Sequence, residues 1–142
     1  MLYYIVIALL AVAMTYFLSW RPDRVNSIYH QKPLWFAHRG ALLKHPENTL
    51  SSYNHAIAAG IPALEMDVLS TKDGIVVCSH NFDLERKTES FGYIHHRDFK
   101  NLQLRNTESN RKNKHERIYT LEEVFNALDD KILINVEIKT HG

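Results

Sequence analysis

Two carboxylates interrupt an apolar run at Ala63-Leu64-Glu65-Met66-Asp67-Val68-Leu69. Side chains alternate along an extended strand, so Glu65 and Asp67 project from the same face. On a buried face, two unpaired carboxylates lose hydration and repel one another, and a divalent cation removes both costs. Glu137 and Lys139, in Asn135-Val136-Glu137-Ile138-Lys139, repeat the spacing, while His38 and His80 close two other apolar runs. An all-oxygen triad of Glu65, Asp67 and Glu137 suits Mg²⁺ or Ca²⁺, and the two histidines would also admit zinc, less well. Arg39 and Lys139 add fixed positive charge of the kind a phosphate oxygen uses. Each residue alone has a plainer reading: a solvated carboxylate, a satisfied core histidine, a Glu137–Lys139 pair within one strand. Recurrence at four strand ends favours a site.

The elements that must position these residues follow from periodicity and punctuation. Strands are expected at 34–38, 63–69, 75–80 and 132–139, with a Lys72-Asp73-Gly74 turn between the second and third. A helix is expected from the Asn48-Thr49 cap, with Leu50, Tyr53, Ala56 and Ile57 at helical spacing and Gly60 as its stop. Thr120-Leu121-Glu122-Glu123 is a capping box. Leu121, Val124, Phe125 and Leu128 form the apolar face of the helix it opens, which Asp129-Asp130-Lys131 would end. The run from Arg105 to Arg117 has no apolar residue and reads as a solvated loop. Strand, helix, strand, strand, helix, strand indicates an α/β fold with a largely parallel sheet. Ligands of such folds bind at the C-terminal ends of the strands, where the six ionisable residues fall.

The chain has 142 residues and a net charge of +1 at pH 7, with no basic stripe, which argues against a nucleic-acid partner. Its lone cysteine, Cys78, lies in an apolar strand and reads as a small buried residue in a reducing compartment. Residues 1–20 carry no charge at all. As a helix they would span about 30 Å, the thickness of a hydrocarbon core. Tyr3, Tyr4, Tyr16 and Trp20 sit towards the ends, where amphipathic rings favour the interface. The expected organisation is a single-pass anchor at 1–20, a linker at 21–33 and a folded region at 34–142. A cleaved signal peptide is the rival, although no Lys or Arg precedes the apolar run. Arg21, Arg24 and Lys32 follow the segment and place the C-terminal part in the cytoplasm.

His38-Arg39-Gly40, Pro46-Glu47-Asn48-Thr49, Glu65-x-Asp67 and Thr71-Lys72-Asp73-Gly74 then occur in order, followed by His80-x-x-x-Leu84-x-Arg86-x-Thr88 and Glu137-Ile138-Lys139. This series resembles the glycerophosphodiester phosphodiesterase family and runs from about Trp35 to Lys139. The resemblance implies a metal-dependent (β/α)₈ TIM barrel that cleaves glycerophosphodiesters to glycerol 3-phosphate and an alcohol, in lipid metabolism. It also implies roles: Glu65, Asp67 and Glu137 as metal ligands, His38 and His80 as general base and acid, and Arg39 and Lys139 as phosphate holders. Glu47 would lie at the edge of the metal site. The family usually has His-Asp where this chain has His80-Asn81. A closed barrel needs at least about 200 residues, so the fold expected here is the incomplete N-terminal half of a TIM barrel. Three functional readings follow: the phosphodiesterase itself, a membrane-bound lysophospholipase D acting on lysophospholipids, or a non-catalytic remnant. A second chain completing the barrel is a further expected partner.

Overall fold

The computed structural model describes residues 1–21, 34–41, 45–88, 90–102, 116–128 and 132–140. The chain divides into two units, Met1–Lys32 and Pro33–Gly142. The expected linker beyond residue 21, with Arg24 and Lys32, lies outside the described residues, as do most of the 105–117 loop and Asp129-Asp130-Lys131.

The first unit is helix α1, Leu2–Ser19, none of whose residues is buried. It is long and apolar enough to cross a membrane, a test that a signal sequence also passes. Its two aliphatic hydroxyls are satisfied by the helix itself: Thr15 Oγ1 donates to the carbonyls of Ala11 (2.9 Å) and Val12 (2.8 Å), and Ser19 Oγ to that of Tyr16 (3.2 Å). Neither of these hydroxyls therefore requires water, which is the condition lipid imposes on polar groups within it.

The second unit is organised by strand β2, Ala63–Ser70, which is buried from Ala63 to Leu69. β1, Phe36–Ala37, pairs parallel with its start, Phe36 opposite Ala63. The last strand, β4, Leu133–Ile138, pairs parallel along the other edge, from Ala63↔Leu133 to Val68↔Ile138. The sheet is largely parallel, with one exception. β3, Val76–Cys78, runs antiparallel to β2, with Val68↔Cys78 and Ser70↔Val76. Val68 thus has β3 on one side and β4 on the other. The cause is connection length: Thr71 to Ile75 form a tight turn, whereas a parallel crossover requires a dozen residues or more. Thr71 locks that turn, its N–H donating to the Ile75 carbonyl at 2.9 Å and its Oγ1 to Asp73 Oδ1 at 2.6 Å. The described chain therefore contributes three parallel strands, not four, to a partial sheet.

Helix α2, Leu50–Ala58, starts at a reciprocal cap between Thr49 and Ser52. Helix α3, Leu121–Ala127, starts at the expected Thr120–Glu123 box. α3 buries Val124 and leaves Phe125 about half exposed, so its apolar face is narrower than the spacing suggested. One core cluster joins Ala37, Tyr53, Ala56, Leu64, Met66, Val68, Cys78 and Val124. A second, around Leu69, Val77, Leu84, Ile94, Leu102 and Ile118, carries the segment after β3, including the 3₁₀ turns Ile94–His96 and Phe99–Asn101. At the end of the expected solvated loop, Glu116 is buried and Arg117 is clasped by Glu123 at 2.7 Å.

Candidate active site

The parallel register places Asp67 of β2 directly opposite Glu137 of β4, and Glu65 lies two residues earlier on the same face. One ligand atom from each of the three carboxylates falls within 4.8 Å of the others. Asp67 is fully buried, Glu65 nearly so, and the Glu137 side chain is half exposed. The cluster is thus closed on the β2 side and open beside β4.

Cations and donors converge on it from two loops. Arg39 follows β1 in the left-handed region at φ 56°, a conformation that costs a non-glycine residue energy and aims its backbone inward. Its N–H donates to Glu65 Oε2 at 2.8 Å. Its guanidinium Nε lies 3.1 Å from Asp67 Oδ2, and Nη1 lies 3.1 Å from Glu47 Oε2. Lys139 stands one residue past β4, where its N–H donates to the Val68 carbonyl at 2.8 Å. Its Nζ pairs with Asp67 Oδ1 at 3.1 Å and with Glu137. Burial by itself would raise the Asp67 pKa, but the Asn48 hydrogen bond and the Lys139 and Arg39 charges prevail and hold it below the usual carboxylate range. Lys139 is pushed up, chiefly by Glu137 and then by Asp67.

Glu65 Oε1 is buried and has no hydrogen-bond partner among the described residues, while the buried Asp67 Oδ1 faces the Lys139 ammonium. Three clustered carboxylates, one of them with a buried unpaired oxygen, and no imidazole within the cluster fit a hard, oxygen-seeking divalent cation.

The two histidines reach this region by different routes. His38, just past β1, is largely exposed, with Nε2 4.0 Å from Glu65 Oε2. His80 was expected to close the third strand, and it lies just past the antiparallel β3, where the turn is tied to the site because Ser79 N–H donates to the Asp67 carbonyl at 3.0 Å. His80 Nδ1 sits 3.1 Å from Asn81 Oδ1 and lines a cavity with Glu47, Asn48, Asp83 and Lys87. Glu47 lies outside the carboxylate triad: Arg39 holds one oxygen, and Lys87 Nζ is 3.5 Å from the other.

Sequence reasoning assigned Asn48 only to a helix cap, and left Lys87 without a role. Thr49 is the cap, while Asn48 binds Asp67 twice, through Nδ2 to Oδ2 at 3.1 Å and through Oδ1 to the backbone N–H at 3.0 Å. Its position in Pro46-Glu47-Asn48-Thr49 was the available signal, since Asn tolerates the left-handed backbone it adopts at φ 55°.

Residues 38–141 match the glycerophosphoryl diester phosphodiesterase family. The chain belongs to this family. It is 37% identical over 114 residues to a glycerophosphodiester phosphodiesterase of Caldanaerobacter subterraneus subsp. tengcongensis, covering 77% of this chain and 46% of that protein. Against human glycerophosphodiester phosphodiesterase 1 it is 31% identical over 125 residues, covering 84% of this chain and 35% of the relative. Among solved structures, an Oleispira antarctica phosphodiesterase in complex with the product sn-glycerol-3-phosphate superposes with a TM-score of 0.71 and 34% identity, over 75% of this chain and 44% of the other. The Thermotoga maritima glycerophosphodiester phosphodiesterase gives a TM-score of 0.63 and 36% identity, over 79% and 46% respectively. The chain therefore spans less than half the length of these relatives. Its partial parallel sheet is consistent with an incomplete family barrel.

Proposed function

We propose that this phosphodiesterase site hydrolyses glycerophosphodiesters to glycerol 3-phosphate and an alcohol, with Mg²⁺ or Ca²⁺ held by Glu65, Asp67 and Glu137. The observation that carries the reading is the three-carboxylate cluster with its orphaned Glu65 oxygen, flanked by Arg39 and Lys139. The bound ion supplies Lewis-acid stabilisation of developing negative charge. Arg39 and Lys139 offset the charge of the phosphate in the transition state. The substrate's own glycerol hydroxyl attacks phosphorus, the alcohol leaves, and water then opens the resulting cyclic phosphate. His38 and His80 exchange the protons these steps require, one imidazole accepting from the attacking hydroxyl and the other donating to the leaving alcohol. Glu47 serves at the edge of the site by fixing the Arg39 guanidinium.

The long apolar α1 favours a second substrate class within the same chemistry. As a single-pass anchor with the catalytic part on the cytoplasmic side, it would hold the site beside lysophospholipids, making the protein a lysophospholipase D of lipid metabolism. The anchor is checked by membrane fractionation: residues 21–142 alone should leave the membrane fraction, and persistent association would count against it.

Choline release from glycerophosphocholine and from lysophosphatidylcholine tests both substrates in one assay. The full chain in detergent is measured with Mg²⁺, with Ca²⁺ and with EDTA. The expected result is metal-dependent release abolished in Glu65→Gln, and the size-exclusion mass of the active species shows whether one chain suffices. No turnover under any of these conditions overturns the catalytic reading in favour of a non-catalytic remnant.

A further inference from the structure

Asn48 stands between the two loops of the site and is itself fully constrained. Its backbone N–H donates to the Arg39 carbonyl at 3.0 Å, and the neighbouring Thr49 Oγ1 donates to the Pro46 carbonyl at 2.7 Å. Those bonds hold Asn48 in its left-handed conformation, which the short polar side chain tolerates. The side chain is 97% buried by that placement, since only 3% of the residue remains exposed.

Its amide can face only one way. Oδ1 accepts the Asp67 backbone N–H at 3.0 Å and the Tyr53 phenol at 3.0 Å. A backbone N–H can only donate, so the oxygen must occupy that side and Nδ2 the other. Tyr53 has no exposed surface, and burial raises its pKa, so the phenol keeps the proton that it donates. Nδ2 is thereby aimed at Asp67 Oδ2, 3.1 Å away, where Arg39 Nε also lies at 3.1 Å. With Oδ2 so engaged, Oδ1 is the oxygen turned towards β4, with Lys139 Nζ 3.1 Å away.

We infer that Asn48 is the positioning residue of the cation site, fixing the rotation of the Asp67 carboxylate so that Oδ1 is presented together with the Glu65 and Glu137 oxygens. The inference rests on the metal-site reading above and adds to it a residue that touches neither ion nor substrate. Groups that orient a metal ligand typically change ion affinity 10- to 100-fold when lost.

The test is calorimetric titration of Ca²⁺ and of Mg²⁺ into the full chain in detergent, with circular dichroism melts of every variant. Asn48→Asp keeps an acceptor for the Asp67 N–H and the Tyr53 phenol, and replaces the donor to Oδ2 with an oxygen that repels it. Charge counting alone predicts tighter cation binding in this variant, because a carboxylate has been added. Positioning predicts the opposite, a Kd raised about tenfold. Asn48→Gly, which suits the left-handed backbone, is titrated as well, so the measurement survives if the Asp variant does not fold. Tyr53→Phe should give a smaller rise, because it loosens the amide without removing it. Wild-type affinity in a folded Asn48→Asp or Asn48→Gly variant overturns the inference and leaves the metal reading standing. A wild-type chain that takes up neither ion overturns both.

Discussion

Lys139 reaches across the β2–β4 pair to Asp67, its Nζ 3.1 Å from Oδ1 of a carboxylate that has no solvent exposure. The contact exists because Lys139 extends the β4 ladder by one more bond, from its N–H to the Val68 carbonyl. Backbone pairing thus delivers the ammonium to the carboxylate, and the same step places Glu137 opposite Asp67. Charge balance and strand register are one arrangement at this site.

Replacing Lys139 with Met keeps the aliphatic stem and deletes the charge. Asp67 would retain Arg39 and Asn48 but lose the ion pair at Oδ1. Losing one partner of a buried, charged contact should destabilise the fold by about 1–3 kcal/mol, and turnover should fall with it. Urea unfolding of the K139M variant measures the first effect. An unchanged midpoint would show that Lys139 contributes nothing to the fold.

Gly40 follows Arg39 at φ 87°, a region that favours glycine. A Cβ there would lie 2.6 Å from Ser52 Cβ and 2.8 Å from the Ser52 carbonyl carbon. Ser52 also receives the Ala41 N–H on its carbonyl and donates Oγ to the Arg39 carbonyl, so it cannot retreat without disturbing the site loop. Gly40→Ala should therefore cost about 2–3 kcal/mol through strain and overlap combined. A thermal melt matching wild type would contradict this close approach of α2 to the Arg39 loop.

Glu123 is held below its ordinary pKa, first by the Arg117 hydrogen bonds at 2.7 and 3.0 Å, and also by the Thr120 N–H it accepts at 2.9 Å. A carboxylate depressed in the folded state binds protons more readily in the unfolded state. Its contribution is therefore complete above the unfolded pKa and disappears as pH falls through the folded one. The stability gap between wild type and Glu123→Gln should be present at pH 7 and should close as the pH falls through and below the ordinary carboxylate range. Urea titrations across that range check it, and a gap independent of pH would remove Glu123 from the acid response.

The carboxylate pair Glu65 and Asp67, both helix caps and the buried setting of Cys78 were legible in the residues alone. Each depends on local rules: alternation along a strand, an oxygen side chain before a helix, a small apolar residue in an apolar run. The antiparallel course of β3 was also written in its five-residue connection, which is too short for a parallel crossover. Tertiary structure alone decided that Asp67 faces Glu137, that Ser79 brings His80 to the Asp67 backbone, and that Glu47 binds Arg39 and Lys87. It also turned Asn48 from a neighbour of a cap into a clasp on Asp67, 19 residues away in sequence. Strand register and left-handed loop geometry are long-range properties, set when the whole sheet packs, and no spacing within one segment encodes them.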